Sequence, residues 1–101
     1  MPAGDGGQFH AGTYTGTGVA LKIEKEVLGF EPKLVHIYNL TDGSFSFWHQ
    51  NMTDAHVLTQ KAGTTSHTTS NGITPLASGF QVGTDAAINA SGDVCHWIAW
   101  G

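Results

Sequence analysis

Apolar and polar positions alternate along most of the chain with a period of two. Val19, Leu21 and Ile23 alternate with Ala20, Lys22 and Glu24, and Leu34, His36, Tyr38 and Leu40 with Val35, Ile37 and Asn39. Phe45, Phe47 and His49 alternate with Ser46, Trp48 and Gln50. Val94, His96, Ile98 and Trp100 alternate with Cys95, Trp97 and Ala99. This is the strand period, and the β-branched and aromatic content of these runs suits a pleated, half-buried surface. Asp42-Gly43 between two strong runs predicts a tight hairpin, with Asn71-Gly72 and Ser91-Gly92 as weaker turn signals. Residues 63–70 read as a polar strand exposed on one face or lying at an edge, and Phe80 and Val82 as a short strand. Pro75 keeps the stretch before it out of a central strand. Thr53 to Ala62 is the one helical candidate, but a strand through His56 to Thr59 is preferred.

Roughly seven to nine short strands predict an all-β fold, a single antiparallel β-sandwich of jelly-roll-like topology. Residues 1–8 are Gly-rich and hold no large apolar group, so they are expected to form a flexible N-terminal arm before a sandwich domain over residues 9–101. Leu34, Ile37, Phe47, Val94 and Ile98 are the expected core.

Composition narrows the functions. The 101 residues suffice for one domain, and charged residues make up only 12%, about half the usual share. A surface so poor in charge points to an oligomer or an assembly subunit. The basic residues are Lys22, Lys25, Lys33 and Lys61, with no arginine and a net charge of −4, which argues against a nucleic-acid partner. No apolar run approaches the ~20 residues of a membrane helix. The opening Met-Pro-Ala-Gly-Asp-Gly-Gly lacks the basic and apolar regions of a signal peptide. With Cys95 as the single cysteine, synthesis in a reducing cytosol is expected.

The chemistry-bearing residues give little sign of catalysis. His10, His36, His49, His56, His67 and His96 contain neither His-x-His nor His-Glu-x-x-His, so no metal site is expected, although His49 and His56 could meet across a turn with His96 nearby. Cys95 and His96 point to opposite faces of one strand. The carboxylates show no spacing that would face a pair across a cleft, and no serine stands in a nucleophile elbow. Gly12, Gly16 and Gly18 precede a strand rather than a helix, which suits a turn or bulge rather than a phosphate loop. No enzyme activity and no cofactor are expected. Trp48, Trp97, Trp100, Phe45, Phe47 and Tyr38 are divided between core, subunit contact and a sugar-stacking platform, the first two being preferred.

Three segments carry a resemblance. They are Tyr14-Thr15-Gly16-Thr17-Gly18, then Leu28-Gly29-Phe30-Glu31-Pro32-Lys33-Leu34-Val35, then Gly79-Phe80-Gln81-Val82-Gly83-Thr84-Asp85 with Ile88-Asn89-Ala90-Ser91-Gly92. Together with the aromatic final strand, they resemble small structural proteins of tailed bacteriophages, where such segments recur in this order. The resemblance implies a capsid decoration (cement) protein on the outer surface of the virion. Such a protein is non-enzymatic, is made in the host cytoplasm, and as a homotrimer binds the major capsid protein and bridges shell subunits. Phe9, His10, Trp48, His49 and Trp100 are the candidate partner-binding residues. The alternative is a tail or fibre module that binds host-surface glycan, favoured if Trp48 or Trp100 is exposed beside Asn and Asp groups. A small cupin-like metalloenzyme is a third reading, and the missing His-x-His counts against it.

Overall fold

Alternation decides the architecture, because burying one set of side chains curls the sheet around them. The computed structural model describes residues 8–24 and 29–101. Among these, the strands are β1 (Phe9–Thr15), β2 (Leu21–Ile23), β3 (Leu34–Asn39), β4 (Ser44–His49), β5 (His56–Lys61), β6 (Thr64–Leu76), β7 (Gly79–Val82) and β8 (Val94–Trp100). One short helix, α1 (Ala86–Asn89), lies between β7 and β8. The expected all-β antiparallel fold is what the chain adopts. Its strands form one eight-stranded sheet in the order β1-β8-β3-β4-β5-β6-β7-β2, curled into a half-barrel. The two ends of the same sheet thereby face each other across one core, as two sheets do in a sandwich. The expected arm lies outside the described residues except for Gln8, whose carbonyl accepts a hydrogen bond from the Gly101 amide at 2.9 Å.

The inner face carries Val35 and Ile37 of β3, Trp48 of β4, Val57 of β5, Phe80 and Val82 of β7, and Cys95, Trp97 and Ala99 of β8, all buried. Of the expected core, Ile37 is fully buried, but Leu34, Phe47 and Ile98 are half-buried on the outer face and Val94 is 44% exposed. In β3 and β8 both phases carry large apolar groups. In β4 the outward phase of Phe45 and Phe47 is more apolar than the inward phase of Ser44, Ser46 and Trp48, so hydrophobicity alone does not choose between them. The choice falls on histidine. His36, His49 and His96 share a phase with Leu34, Phe47 and Ile98, and an imidazole is costly to bury without a partner. That phase therefore faces outward, and the phase of Val35, Ile37, Trp48 and Trp97 fills the interior.

The two inner asparagine amides are paired. Asn39 Nδ2 donates to the Ala87 carbonyl at 3.1 Å and to Asp93 Oδ2 at 2.9 Å, while its Oδ1 accepts from the Asp42 amide at 2.9 Å. Asn89 Oδ1 accepts from the Thr17 amide at 2.8 Å, and its Nδ2 donates to the carbonyls of Val19 and Gly83 at 2.6 and 2.8 Å. These two amides hold α1 at one end of the half-barrel and tie the β1–β2 connection to it. Two glycines of the resembling segments lie where chains cross closely. A Cβ on Gly16 would stand 2.0 Å from the Ala90 carbonyl oxygen, and one on Gly79 would stand 1.9 Å from that of Ile23.

The turn signals resolve unequally. Asp42-Gly43 closes the β3–β4 hairpin, with Gly43 at φ 78° and its amide bonded to the Asn39 carbonyl at 2.8 Å. The expected strand through His56 to Thr59 is β5, and no helix forms there. Asn71-Gly72 is not a turn between strands but a bulge within β6. Asn71 takes φ 62°, and the register with β5 jumps from Val57 opposite Thr68 to His56 opposite Ile73. Pro75 sits beyond the last pair with β5, where β6 has only β7 beside it and the missing N–H costs no ladder bond.

Candidate functional site

Antiparallel register stacks the outward side chains of five strands into rows. Ala11, Ile98, His36, Phe47 and Leu58 form one row, and Thr13, His96, Tyr38, Phe45 and Gln60 the next. Phe9, Trp100, Leu34 and His49 form a third. The result is a convex face of half-exposed aromatic and aliphatic groups that carries no carboxylate or lysine in these rows.

His36 is its centre. Its ring lies 4.9 Å from Trp100, 5.2 Å from Phe45, 6.1 Å from Phe47 and 6.5 Å from Tyr38, in each case edge to face. Tyr38 stacks on Phe45 at 4.9 Å, and Phe45 on Phe47 at 5.8 Å. Surrounded in this way, the imidazole is held below its usual pKa by burial, so near neutral pH the face is uncharged at its centre. The arrangement offers aromatic surface whose desolvation would favour contact with another apolar surface.

The structure divides the candidate residues. Phe9, 63% exposed, stands opposite Trp100 and extends the face to the sheet edge. His49 lies on the same face opposite Leu34, its Nδ1 accepting from the Asn51 amide at 3.3 Å. His10 points to the other side of β1, with its ring 5.9 Å from Trp97 at the rim of the interior. Trp48 is almost wholly buried. Only 2% of it is exposed, and its Nε1 donates to the Thr53 carbonyl at 3.2 Å. Its neighbours in β4 explain this, because Trp48 shares the inward phase of Ser44 and Ser46, which pair with the Ala87 carbonyl and with Thr59 Oγ1. The sequence reading weighs Tyr38, Phe45 and Phe47 only as core, subunit contact or sugar platform, and none of them, nor His36, stands among the candidate partner-binding residues. The signal that could have found them is the histidine phase, which marks the outward set in β3, β4 and β8 alike.

A depression of about 380 Å³ opens at the end of the half-barrel away from α1. Glu31, Lys33, Gln50, Asp54 and the prolines Pro32 and Pro75 line it together with an edge of Trp48. So little of Trp48 is exposed that no ring is presented there for a sugar to stack on. Among the described residues, no three histidine, cysteine or carboxylate side chains group closely enough to hold a metal ion. Compared with known families, curated proteins and solved structures, the chain finds no match.

Proposed function

We propose that this protein is a non-enzymatic structural subunit of a tailed-phage virion, a capsid decoration protein that attaches to the outer shell and bridges its subunits. The observation that carries this reading is the aromatic face centred on His36, whose rows hold no carboxylate or lysine, set on a curled sheet. Such a face suits lasting contact between proteins, where aromatic anchors supply most of the binding energy. Attachment stabilises the shell by mass action, since a subunit that binds the assembled form and not its parts shifts the equilibrium toward assembly. The homotrimer and the major capsid protein as partner come from the resemblance of the glycine-bounded segments, and the low charge of the chain is in keeping with both.

Titration of the purified protein onto capsids lacking it tests the reading. Saturable binding is expected, and Trp100→Ser with Tyr38→Ser should weaken it by about ten-fold or more, ~1.4 kcal/mol, with the fold retained. Binding to host envelope but not to capsids would overturn it in favour of the tail or fibre module that recognises glycan.

A further inference from the structure

We propose that His56 and His67 form a binding site for a single divalent transition-metal ion of the copper, nickel or zinc type. The site lies beside the aromatic rows on the same outer face, and it does not rest on the virion reading. His56 Nδ1 and His67 Nε2 lie 3.0 Å apart, and the two ring centroids 4.9 Å apart. An ion that holds two imidazole nitrogens at ~2.0–2.1 Å, with an angle of roughly 90° to 109° between them, sets the nitrogens ~2.9–3.4 Å apart and the centroids ~4.5–5.2 Å apart. Both observed spacings fall inside that bite. A straight N–H···N bond with the same nitrogen separation would hold the centroids farther apart, at about 5.3 Å.

The backbone explains why the pair exists. In an unbroken ladder, Thr69 would stand opposite His56, since Val57 stands opposite Thr68. The bulge at residues 69–72 takes that neighbour away and pairs His56 with Ile73 instead. His67, opposite Leu58, is then the diagonal neighbour of His56 on the outer face, a separation that ring side chains span. The loops and ladder that create the bulge are fixed by backbone bonds. The Gly72 amide donates to the Ala55 carbonyl at 2.8 Å, and the Ala55 amide to that of Ile73 at 2.9 Å. The site is therefore built before any ion arrives. With no ion, one nitrogen of the pair carries the shared hydrogen. Binding moves that hydrogen to the far nitrogen of the same ring, His56 Nε2 or His67 Nδ1, so no net proton is released from two neutral rings. Water fills the remaining coordination positions.

The test is calorimetric titration of the full chain with nickel chloride and with copper sulfate in a non-chelating buffer at about pH 7.5, above the ordinary histidine pKa. One ion per chain is expected. His56→Asn and His67→Asn should each weaken binding by about ten-fold or more, while His49→Asn and His96→Asn, on the same face, should leave it unchanged. Circular dichroism checks that each variant is folded, and the exposed position of His67 keeps that variant informative if His56→Asn does not fold. Absence of binding by the unaltered chain, undiminished binding by His67→Asn, or an equal loss in His49→Asn would overturn the proposal.

Discussion

Phe80 and Trp97 meet edge to face across the core, with ring centroids 5.5 Å apart and planes at 77°, although β3, β4, β5 and β6 separate their strands in the sheet. This contact joins the two ends of the curl and does for one sheet what facing layers do for a sandwich. Truncating either ring to alanine removes a fully buried group and should cost ~3–5 kcal/mol. Phe47→Ala on the half-exposed outer face should cost about half as much or less, since part of that ring is already in water. Denaturant unfolding of the three variants checks the order. Equal losses for Phe47 and Phe80 would mean that the convex face is as much core as the interior.

The β5–β6 hairpin turns through Ala62 and Gly63, whose φ angles of 52° and 82° are both positive. A two-residue turn of this kind favours asparagine then glycine, and alanine in the left-handed region carries a steric cost. Ala62→Asn should therefore stabilise the protein by ~0.5–1 kcal/mol. Thermal unfolding should register a higher midpoint, and a lower one would show that the hairpin tip is not held in this conformation.

How far such relationships could be read in advance differs from residue to residue. The strand runs and the Asp42-Gly43 hairpin are local, and local alternation and turn chemistry identify them. The face assignment is not local. Leu34 and Val35 are equally apolar, and only the histidines that ride with Leu34 reveal which way the strand faces. The bulge at Asn71-Gly72 looks like a turn because the same positive φ serves both, and only the pairing of Ile73 with His56 and Val82 distinguishes them. The helix at Ala86–Asn89 is too short for any periodicity, and it is held by Asn39 from a distant strand and by its own Asn89, which bonds to the distant Thr17 and Val19. The aromatic centre around His36 follows from register across β8, β3 and β4, which no single segment contains.

Cys95 tests the inner face chemically. Its thiol is buried and donates to the Ile88 carbonyl at 3.7 Å, beside the Tyr14 hydroxyl, which donates to the same oxygen at 2.5 Å. Burial pushes the thiol pKa up, and burial likewise drives that of Tyr14 far above its usual value. With so little thiolate, Cys95 should not react with a disulfide reagent in native buffer and should react fully in denaturant. Fast labelling of the folded protein would place β8 in the wrong phase.

His36 ties the face to pH. Burial among four rings lowers its folded-state pKa below the ordinary 6.5. As pH falls, the unfolded chain takes up the proton first. The stability this group provides is therefore full above the ordinary value and is lost as pH falls through the lower, folded value. Protonation would also place a charge at the centre of the apolar face, so under the proposed role attachment to capsids should weaken over the same window. His36→Leu removes the titrating group while keeping an apolar side chain. The difference in thermal midpoint between wild type and His36→Leu should be flat near neutral pH. It should move in favour of the variant as pH drops to about 5, below the ordinary range of histidine. A proton-detected titration of the His36 ring gives the direct reading. A midpoint above the ordinary value would show that the surrounding π faces stabilise the cation more than burial opposes it.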